Sequence, residues 1–261
     1  MTAWRPKLVA LDVDGTLVDG ANQMSPAVRD AVRGLRDAGV EVVIATGRSV
    51  PGVLDVADRL GFEHGEAIGS NGSLVFGYRP LEVLRQVTFD ASAAVREIAA
   101  RMPEVRIAVE EVGVGYRVNR EFPGGELGGA IRVQSVEELI AEPVTRVIVR
   151  SPEHSNDEFH AMVAELGLSD TNYYIGYTAW LDIAPVGISK ASGLDYLCRE
   201  RGVRPADVLA IGDGSNDVEM LQWAGLGVAM GQAVPQLIEV ADEVTGSVDE
   251  DGAAVVLRRY L

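Results

Sequence analysis

The chain has 261 residues, of which 47% are hydrophobic and 6% aromatic, and its formal net charge at pH 7 is −16. This length and composition are typical of a globular protein that forms one large domain or two smaller ones. The charge argues against a nucleic-acid or anionic membrane partner, since both need clustered cations, and a phosphorylated ligand would need local positive charge. The single cysteine, Cys198, excludes an internal disulfide.

The start of the sequence lies close to the first predicted strand. Residues 1–6 lead directly into this strand and leave no room for a signal peptide, and no apolar run reaches the length that spans a membrane. We therefore expect a cytoplasmic protein, a monomer or small homo-oligomer, without a membrane partner.

The first part of the chain has the pattern of a parallel sheet. Leu8–Leu11 is an apolar run, which predicts a strand buried on both faces. A helix capped by Ser25 and opened by Pro26 follows, and then a second buried strand at residues 40–45, so that a parallel βαβ unit is expected. A short helix and two hairpin strands complete this segment, at residues 53–60, 66–69 and 74–76.

From about residue 80 the pattern changes to short strands with helices between some of them, which predicts an inserted α+β module, the cap. Its strands are predicted at residues 84–89, 105–110, 116–119 and 144–150, and its helices at 91–101 and 156–166. The glycine-rich stretch 121–129 is typical of a mobile loop.

The α/β pattern resumes near residue 181. Predicted helices begin at Ser189, at Val218, near Val234 and at Gly252, and predicted strands cover residues 208–211, 226–230 and 244–245. We therefore expect an α/β fold with a Rossmann-like parallel-sheet core at residues 1–80 and 183–261 and an α+β cap at residues 81–182.

Polar residues follow the buried strands of the predicted core, and parallel strands would bring them to one edge of the sheet. They are Asp12 and Asp14, then Thr46, Gly47 and Arg48, and then Asp213, Asn216 and Asp217, with Lys190 at the start of a helix. Each group alone is also typical of a turn or a helix cap. Together, the carboxylates suit a hard cation while the hydroxyl and ammonium groups suit an anion, and Mg²⁺ is the expected metal.

These motifs, in this order, closely resemble the four motifs of the haloacid dehalogenase-like phosphatases. The motifs are Asp12-Val13-Asp14-Gly15-Thr16, Thr46-Gly47-Arg48, Lys190 and Gly212-Asp213-Gly214-Ser215-Asn216-Asp217. The long insert between the second and third motifs resembles the cap of the Cof-type subfamily, as do two stretches of the tail, Val228–Gly231 and Asp249–Gly252. The sequence departs from the family pattern at Ala191, where glycine is frequent, and at Gln232, where asparagine is usual.

The resemblance implies a Mg²⁺-dependent phosphatase that hydrolyses a small phosphorylated metabolite through an aspartyl-phosphate. Sugar phosphates, phosphoglycolate and cofactor phosphates are the expected substrate classes. The implied nucleophile is Asp12, and Asp14 would protonate the leaving group and then activate water. The implied phosphate-binding residues are Thr46, Gly47, Lys190 and Asn216, and the implied metal residues are Asp12, Asp14 through its backbone carbonyl, Asp213 and Asp217.

The selection of the substrate is expected to involve the cap. Arg48 and Asn71 would face the cap, and Glu111, Tyr116, Arg117 and the loop at residues 121–129 could contact the leaving group.

Two other functions remain open at this point: a phosphomutase or phosphotransferase of the same superfamily, and a metal- or phosphate-binding relative without turnover. An EF-hand is excluded, because its glutamate position would fall at Gln23 or Ala224. A dinucleotide fingerprint fails, because Asp217 stands at the position of the third glycine.

Overall fold

The computed structural model describes residues 4–166, 172–175 and 179–261. The strands, in chain order, are β1 (Leu8–Leu11), β2 (Glu41–Ala45), β3 (Gly65–Gly69), β4 (Leu74–Tyr78), β5 (Glu82–Gln86), β6 (Arg106–Glu111), β7 (Gly115–Val118), β8 (Ala130–Val133), β9 (Val147–Arg150), β10 (Asn172–Ile175), β11 (Trp180–Ala184), β12 (Val208–Gly212), β13 (Leu226–Ala229) and β14 (Glu243–Val244). The α-helices are α1 (Pro26–Asp37), α2 (Val50–Leu60), α3 (Ser92–Arg101), α4 (Val136–Leu139), α5 (Asn156–Ala164), α6 (Lys190–Arg201), α7 (Val218–Trp223), α8 (Pro235–Ile238) and α9 (Gly252–Leu257).

The larger sheet has the strand order β14-β13-β12-β1-β2-β3-β4-β5. β1 pairs in parallel with β2 on one side and with β12 on the other, and the parallel pairing continues outward to β3 and to β13 and β14. The strands β4 and β5 then add to the β3 side in antiparallel orientation. The carboxyl ends of the six parallel strands therefore share one edge of the sheet.

Both faces of the larger sheet are covered by helices, which explains why the residues of β1 are completely buried. Val9 and Leu11 belong to the cluster of apolar residues that includes α1, α2 and α9. Leu8 and Ala10 belong to a second cluster on the opposite face, with α6 and α7. Because the strand is apolar at every position, its polar continuation after Leu11 stands out as the start of the site.

The smaller sheet has the order β10-β11-β9-β6-β7-β8 and is antiparallel except for the β7–β8 pair. One of its faces packs against α3, α4 and α5 through residues such as Val95, Leu139 and Phe159. The other face carries Tyr116 and Ile148 and contacts the carboxyl edge of the larger sheet, as described below. Within the described ranges, every helix is too short or too polar to cross a lipid bilayer.

The predicted fold class is confirmed, since a mainly parallel sheet is interrupted by an inserted α+β unit. The points at which the chain changes sheets differ from the predicted boundaries. The strand expected in the cap at residues 84–89 is Glu82–Gln86, and it pairs with β4 in the larger sheet, so the chain leaves this sheet after Gln86 rather than after residue 80. β11 stays in the smaller sheet until Ala184, beyond the expected boundary at residue 182. A local strand pattern does not specify which sheet the strand joins.

Candidate active site

A buried ammonium group lies at the centre of the carboxyl edge. Lys190 is the first residue of α6, whose N-cap Ser189 accepts a hydrogen bond from the Ser192 N–H. Its Nζ lies 2.6 Å from Asp12 Oδ1 and 2.7 Å from Asp217 Oδ1, and the Lys190 side chain has no exposed surface. Burial alone would lower the pKa of Lys190, but the two carboxylates outweigh it and raise the pKa, so the side chain is a cation.

Asp12, at the end of β1, has one carboxylate oxygen that is bound and one that is not. Oδ1 accepts from Lys190, whereas Oδ2 is buried and has no hydrogen-bond partner among the described residues. Burial raises the pKa of Asp12 well above its ordinary value, and Asp217 and Asp213 raise it further against the opposing charge of Lys190. A buried carboxylate oxygen without a partner is unfavourable, and a bound cation would relieve this.

Three carboxylates come together at this point. Oxygens of Asp12, Asp213 and Asp217 all lie within 4.8 Å of one another, which is close enough for a shared metal ion. Asp217 is already engaged, because Oδ1 accepts from Lys190 and Oδ2 accepts from the N–H groups of Asp213 and Gly214 at 3.0 Å each. Asp217 therefore positions Lys190 and the loop after β12, and Asp12 and Asp213 are the carboxylates best placed to bind a divalent cation.

The turn after β1 is built so that Asp213 can approach it closely. Gly15 has a φ of +84°, and a Cβ atom at this position would lie 2.1 Å from Asp213 Oδ2, so only glycine fits. Gln232 ties the two loops together, since its Nε2 donates to Gly15 O at 2.6 Å and lies 3.3 Å from Asp213 Oδ2. Gln232 Oε1 in turn accepts from the Val248 N–H at 2.9 Å. The residue that departs from the family pattern thus has a structural role beside the carboxylate cluster.

Asp14 has a different environment from Asp12. Arg48 donates two hydrogen bonds to the Asp14 carboxylate, at 3.0 Å from Nε and 2.5 Å from Nη2, and a third to Asn22 Oδ1 at 2.9 Å. Burial would lower the pKa of Arg48, but the Asp14 carboxylate raises it. The Asp14 side chain lies outside the group of three carboxylates. Its predicted role as a metal ligand therefore depends on its backbone carbonyl and stays a prediction.

The predicted phosphate-binding residues line the same edge. Thr46 is fully buried, and its Oγ1 accepts from the Arg48 N–H at 3.1 Å, which leaves the hydroxyl hydrogen available for donation. Gly47 lines the cavity next to it. Asn216 donates to Asn71 Oδ1 at 2.9 Å, so Lys190 is oriented by Asp217 and not by Asn216.

The loop after β3 holds Asn71 in an unusual conformation. Ser70 and Asn71 have φ angles of +49° and +53°, in the left-handed region that non-glycine residues seldom adopt. Such strain costs about 1–3 kcal/mol per residue and is frequent at functional sites. The loop presents Asn71 to the cap, with its Nδ2 3.5 Å from Asp182 Oδ2.

The cap contributes a buried ion pair that the sequence interpretation missed. Arg146 donates to Asp182 Oδ1 at 2.7 Å and Oδ2 at 3.0 Å, with 5% and 12% of the two side chains exposed. Arg146 also donates to Gly47 O of the core and, at 3.3 Å, to the Tyr116 hydroxyl. Burial would lower the pKa of Arg146, but Asp182 raises it. In the sequence, Arg146 and Asp182 are each a single charged residue beside or within an apolar run, and this pattern could have revealed both.

Of the three cap residues proposed to contact the leaving group, the structure places only Tyr116 at the cavity. Tyr116 pairs across the strands with Glu110, which is buried and accepts from Ser70 Oγ and Thr145 Oγ1. Glu111 lies 3.8 Å from Arg132, and Arg117 donates to the backbone of Glu138 at 3.2 Å. The prediction for Glu111 and Arg117 is wrong, because neighbouring residues of a strand face opposite sides.

A cavity of about 1110 Å³ lies between the carboxyl edge and the cap. Its core side includes Asp12, Asp14, Arg48 and Asp213, so the carboxylate cluster opens into it. Its cap side is lined by Tyr116, His160, Tyr174, Trp180 and Asp182, together with the glycine-rich loop at residues 125–129. This volume is sufficient for a small metabolite.

The family model for haloacid dehalogenase-like hydrolases matches residues 9–257. The chain belongs to this family. A phosphoglycolate phosphatase of Methanoculleus marisnigri is 28% identical over 97% of this chain and 96% of its own length. The subclass IIB sugar phosphatase BT4131 of the superfamily superposes with a TM-score of 0.80 at 25% identity, covering 97% of this chain and 98% of that one.

A third relative is longer. The chloroplastic endoribonuclease YBEY of Arabidopsis thaliana is 31% identical over 98% of this chain, but the chain spans only 47% of that protein. Taken together, the family match and the related phosphatases assign the chain to the Cof-type phosphatases, which are phosphoric monoester hydrolases.

Proposed function

We propose that this protein is a Mg²⁺-dependent phosphatase that hydrolyses a small phosphorylated metabolite through an aspartyl-phosphate on Asp12. The observation that carries the proposal is the state of the Asp12 carboxylate. One oxygen is held by Lys190, and the other is buried, without a partner, beside Asp213 and at the wall of the cavity. Such an oxygen is positioned to act as a nucleophile.

Asp12, Asp213 and the backbone carbonyl of Asp14 would hold the Mg²⁺ ion. The donors fit this ion, since Mg²⁺ binds to oxygen ligands and uses one or two carboxylates together with water and a substrate phosphate. When bound, Mg²⁺ would offset the repulsion between the nucleophilic carboxylate and the phosphate dianion.

In the first step, one oxygen of the Asp12 carboxylate attacks phosphorus while the bond between phosphorus and the ester oxygen breaks. The proton of a protonated Asp14 goes to the leaving oxygen. Lys190 keeps the Asp12 carboxylate in position through Oδ1, and a third Lys190 N–H and the Thr46 hydroxyl can donate to the phosphoryl oxygens. The negative charge of the transferring group is thereby shared among fixed donors.

In the second step, Asp14 accepts a proton from water as the water oxygen attacks phosphorus and the Asp12–phosphate bond breaks. Both Asp14 oxygens accept from Arg48 in this structure, and a phosphate ester that took over one of these hydrogen bonds would open that oxygen to the proton in both steps. We assign Arg48 to this exchange: the phosphate ester draws the guanidinium away from Asp14 on binding.

The size of the cavity and the names of the relatives support small substrates. The relatives include a phosphoglycolate phosphatase and a sugar phosphatase, and the cavity is bounded by the cap on the side of the leaving group. Sugar phosphates, phosphoglycolate and cofactor phosphates are therefore the classes to test.

The test is phosphate release from a panel of these esters and from an aryl phosphate, with Mg²⁺ or with a chelator. We expect Mg²⁺-dependent release that falls by about a thousandfold or more in the Asp12→Asn variant. Mass spectrometry of acid-quenched enzyme should detect a phosphorylated peptide containing Asp12. Asp30→Asn, an exposed surface change, is the control. Release that survives either Asp12→Asn or chelation would contradict the proposal.

A further inference from the structure

Away from the metal cluster, the carboxylates that line the cavity are already paired. Glu126 binds Arg150 and Asp55 binds Arg59, and the guanidinium groups of both arginines belong to residues outside the lining. Besides Asp12 and Asp213, the described lining of the cavity includes four carboxylates and two guanidinium groups: Asp14, Asp55, Glu126 and Asp182, and Arg48 and Arg146. The residues outside the described ranges include no lysine and no arginine, so they add no cation to this wall.

Both arginines in this lining are already paired with carboxylates. Arg48 binds Asp14 through two hydrogen bonds, and Arg146 binds Asp182 in the same bidentate manner. The Arg146–Asp182 pair is the more deeply buried of the two and lies on the cap side, where a leaving group would sit. Arg48 is the partner of Asp14, the proposed acid, and in the proposed mechanism it is drawn to the phosphoryl group rather than to the leaving group.

A negatively charged leaving group would meet an unfavourable environment here. A carboxylate or a second phosphate would have to take Arg146 away from Asp182, which would leave the Asp182 carboxylate buried and uncompensated. Uncharged hydroxyl groups need no such exchange, since they can donate to carboxylate oxygens and accept from N–H and O–H groups. The wall supplies both kinds of partner, and its aromatic rings supply apolar area for carbon atoms.

The aromatic part of this wall is held in place. Trp180 packs edge-on against Phe122, with ring centroids 6.3 Å apart, and its Nε1 lies 3.4 Å from Asp182 Oδ2. Asp182 thus receives hydrogen-bond donors from Arg146, Trp180 and Asn71 on a fixed surface.

We propose that Asp182, neutralising Arg146, determines specificity: the cavity selects phosphate monoesters of uncharged polyols and rejects esters whose leaving group carries a carboxylate or a second phosphate. This inference rests on the proposed function and narrows its substrate classes to sugar and polyol phosphates. It sets this chain apart from its phosphoglycolate-hydrolysing relative.

The experiment compares open-chain esters in which a terminal hydroxymethyl group is replaced by a carboxylate. Glycerol phosphate and phosphoglycerate, phosphorylated at the same terminal carbon, form one pair, and glucitol phosphate and phosphogluconate form another. We expect kcat/KM to favour the uncharged leaving group by about a hundredfold in each pair. Equal kcat/KM values, or a preference for the carboxylated ester, would overturn the inference.

The Asp182→Asn variant tests whether the discrimination comes from this pair. The amide keeps the shape of the side chain but not its charge, so Arg146 becomes available to a substrate carboxylate. The ratio of kcat/KM for glycerol phosphate to kcat/KM for phosphoglycerate should fall at least about tenfold, mainly through a lower KM for phosphoglycerate. Asp30→Asn, an exposed residue outside the cavity lining, should leave the ratio unchanged. An unchanged ratio in folded Asp182→Asn would remove Asp182 from its assigned role.

A binding measurement separates this inference from the proposed function. Calorimetric titration of the Asp12→Asn variant with glycerol phosphate and phosphoglycerate, in Mg²⁺, does not depend on turnover. Preferential binding of glycerol phosphate without hydrolysis by the wild type would support the selectivity and contradict the phosphatase activity. Hydrolysis with no preference in either assay would support the activity and contradict the selectivity.

Discussion

Lys190 forms ion pairs with two carboxylates at once, those of Asp12 and Asp217, and its side chain has no exposed surface. Replacing it by methionine keeps much of the volume of the side chain but leaves Asp12 and Asp217 buried without a cation. Removal of one partner from a buried ionic network costs about 3–5 kcal/mol. We therefore expect Lys190→Met to lower the free energy of unfolding by about this amount and to abolish phosphate release. Urea unfolding in the presence of a chelator measures the stability term.

Lys7→Met is the matched control for this prediction. Lys7 pairs with Asp207 at 3.2 Å, but 64% of its side chain is exposed, so water already screens the pair. The unfolding free energy should change little in this variant. A similarly small effect of Lys190→Met would mean that the two carboxylates do not both carry charge in the metal-free protein.

At the level of elements, the site depends on how closely the loops after β1 and β12 approach each other. Gly15→Ala places a methyl group against Asp213 Oδ2 and puts an alanine at a φ of +84°. The backbone strain alone costs about 1–2 kcal/mol, and Asp213 must move. We expect a lower unfolding free energy together with a weaker Mg²⁺ activation of phosphate release, measured as the Mg²⁺ concentration at half-maximal rate.

Gly20→Ala is the control for this change. A Cβ atom on Gly20 meets nothing within 4 Å, and Gly20 has no left-handed φ. Mg²⁺ activation should be that of the wild type. If Gly15→Ala lost stability but kept the wild-type Mg²⁺ dependence, Asp213 would not be a metal ligand.

The contact between β6 and the loop after β3 predicts a pH dependence of stability. Burial raises the pKa of Glu110, against the opposing effects of Arg146, Ser70 and Thr145. The unfolded chain has the ordinary value, so the contribution of Glu110 to stability is full below that value and is lost as the pH rises through the raised one. Glu110→Gln removes this titration. The stability of the variant relative to wild type should therefore increase as the pH rises across this window.

Urea unfolding of both proteins over a series of pH values tests this. Glu111→Gln is the control, because Glu111 lies on the opposite face of β6 with 35% of its side chain exposed, and its effect should be small. A constant difference between Glu110→Gln and wild type over the series would show that Glu110 has the same pKa in both states.

The sequence predicts the parts of the site that depend on single elements. Asp12, Thr46 and Asp213 each follow an apolar run, and strands that are buried on both faces end at a common edge. The cap residues depend instead on strand register and on long-range pairing. To predict that Glu110 rather than Glu111 faces the core, one must know which face of β6 is buried. The Arg146–Asp182 pair joins residues that are 36 positions apart in the chain. Likewise β5 has a strand pattern, but its pairing with β4 is a tertiary property.

At the scale of the whole molecule, residues that are far apart in the chain come together to form one site. β1 and β12 are neighbours in the larger sheet, so the first and last parts of the chain both contribute to it, and Arg146 of the cap reaches Gly47 of the core. The predicted site residues that follow β1, β2 and β12 lie at the carboxyl edge because these strands are parallel neighbours in one sheet. The cap provides the opposite wall of the cavity, and in that wall Arg146 pairs with Asp182 of the cap itself.

The net charge of −16 predicts how activity responds to salt. A phosphate ester approaches against this field, and raising the ionic strength from about 0.01 M to about 0.15 M shortens the Debye length from about 30 Å to about 8 Å. We expect kcat/KM to rise by about twofold to fivefold at constant free Mg²⁺, through a lower KM. Parallel series in sodium chloride and potassium glutamate separate screening from competition by a particular anion. A KM that increases with both salts would mean that Lys190 and the bound cation, rather than the net charge, dominate the field along the path of approach.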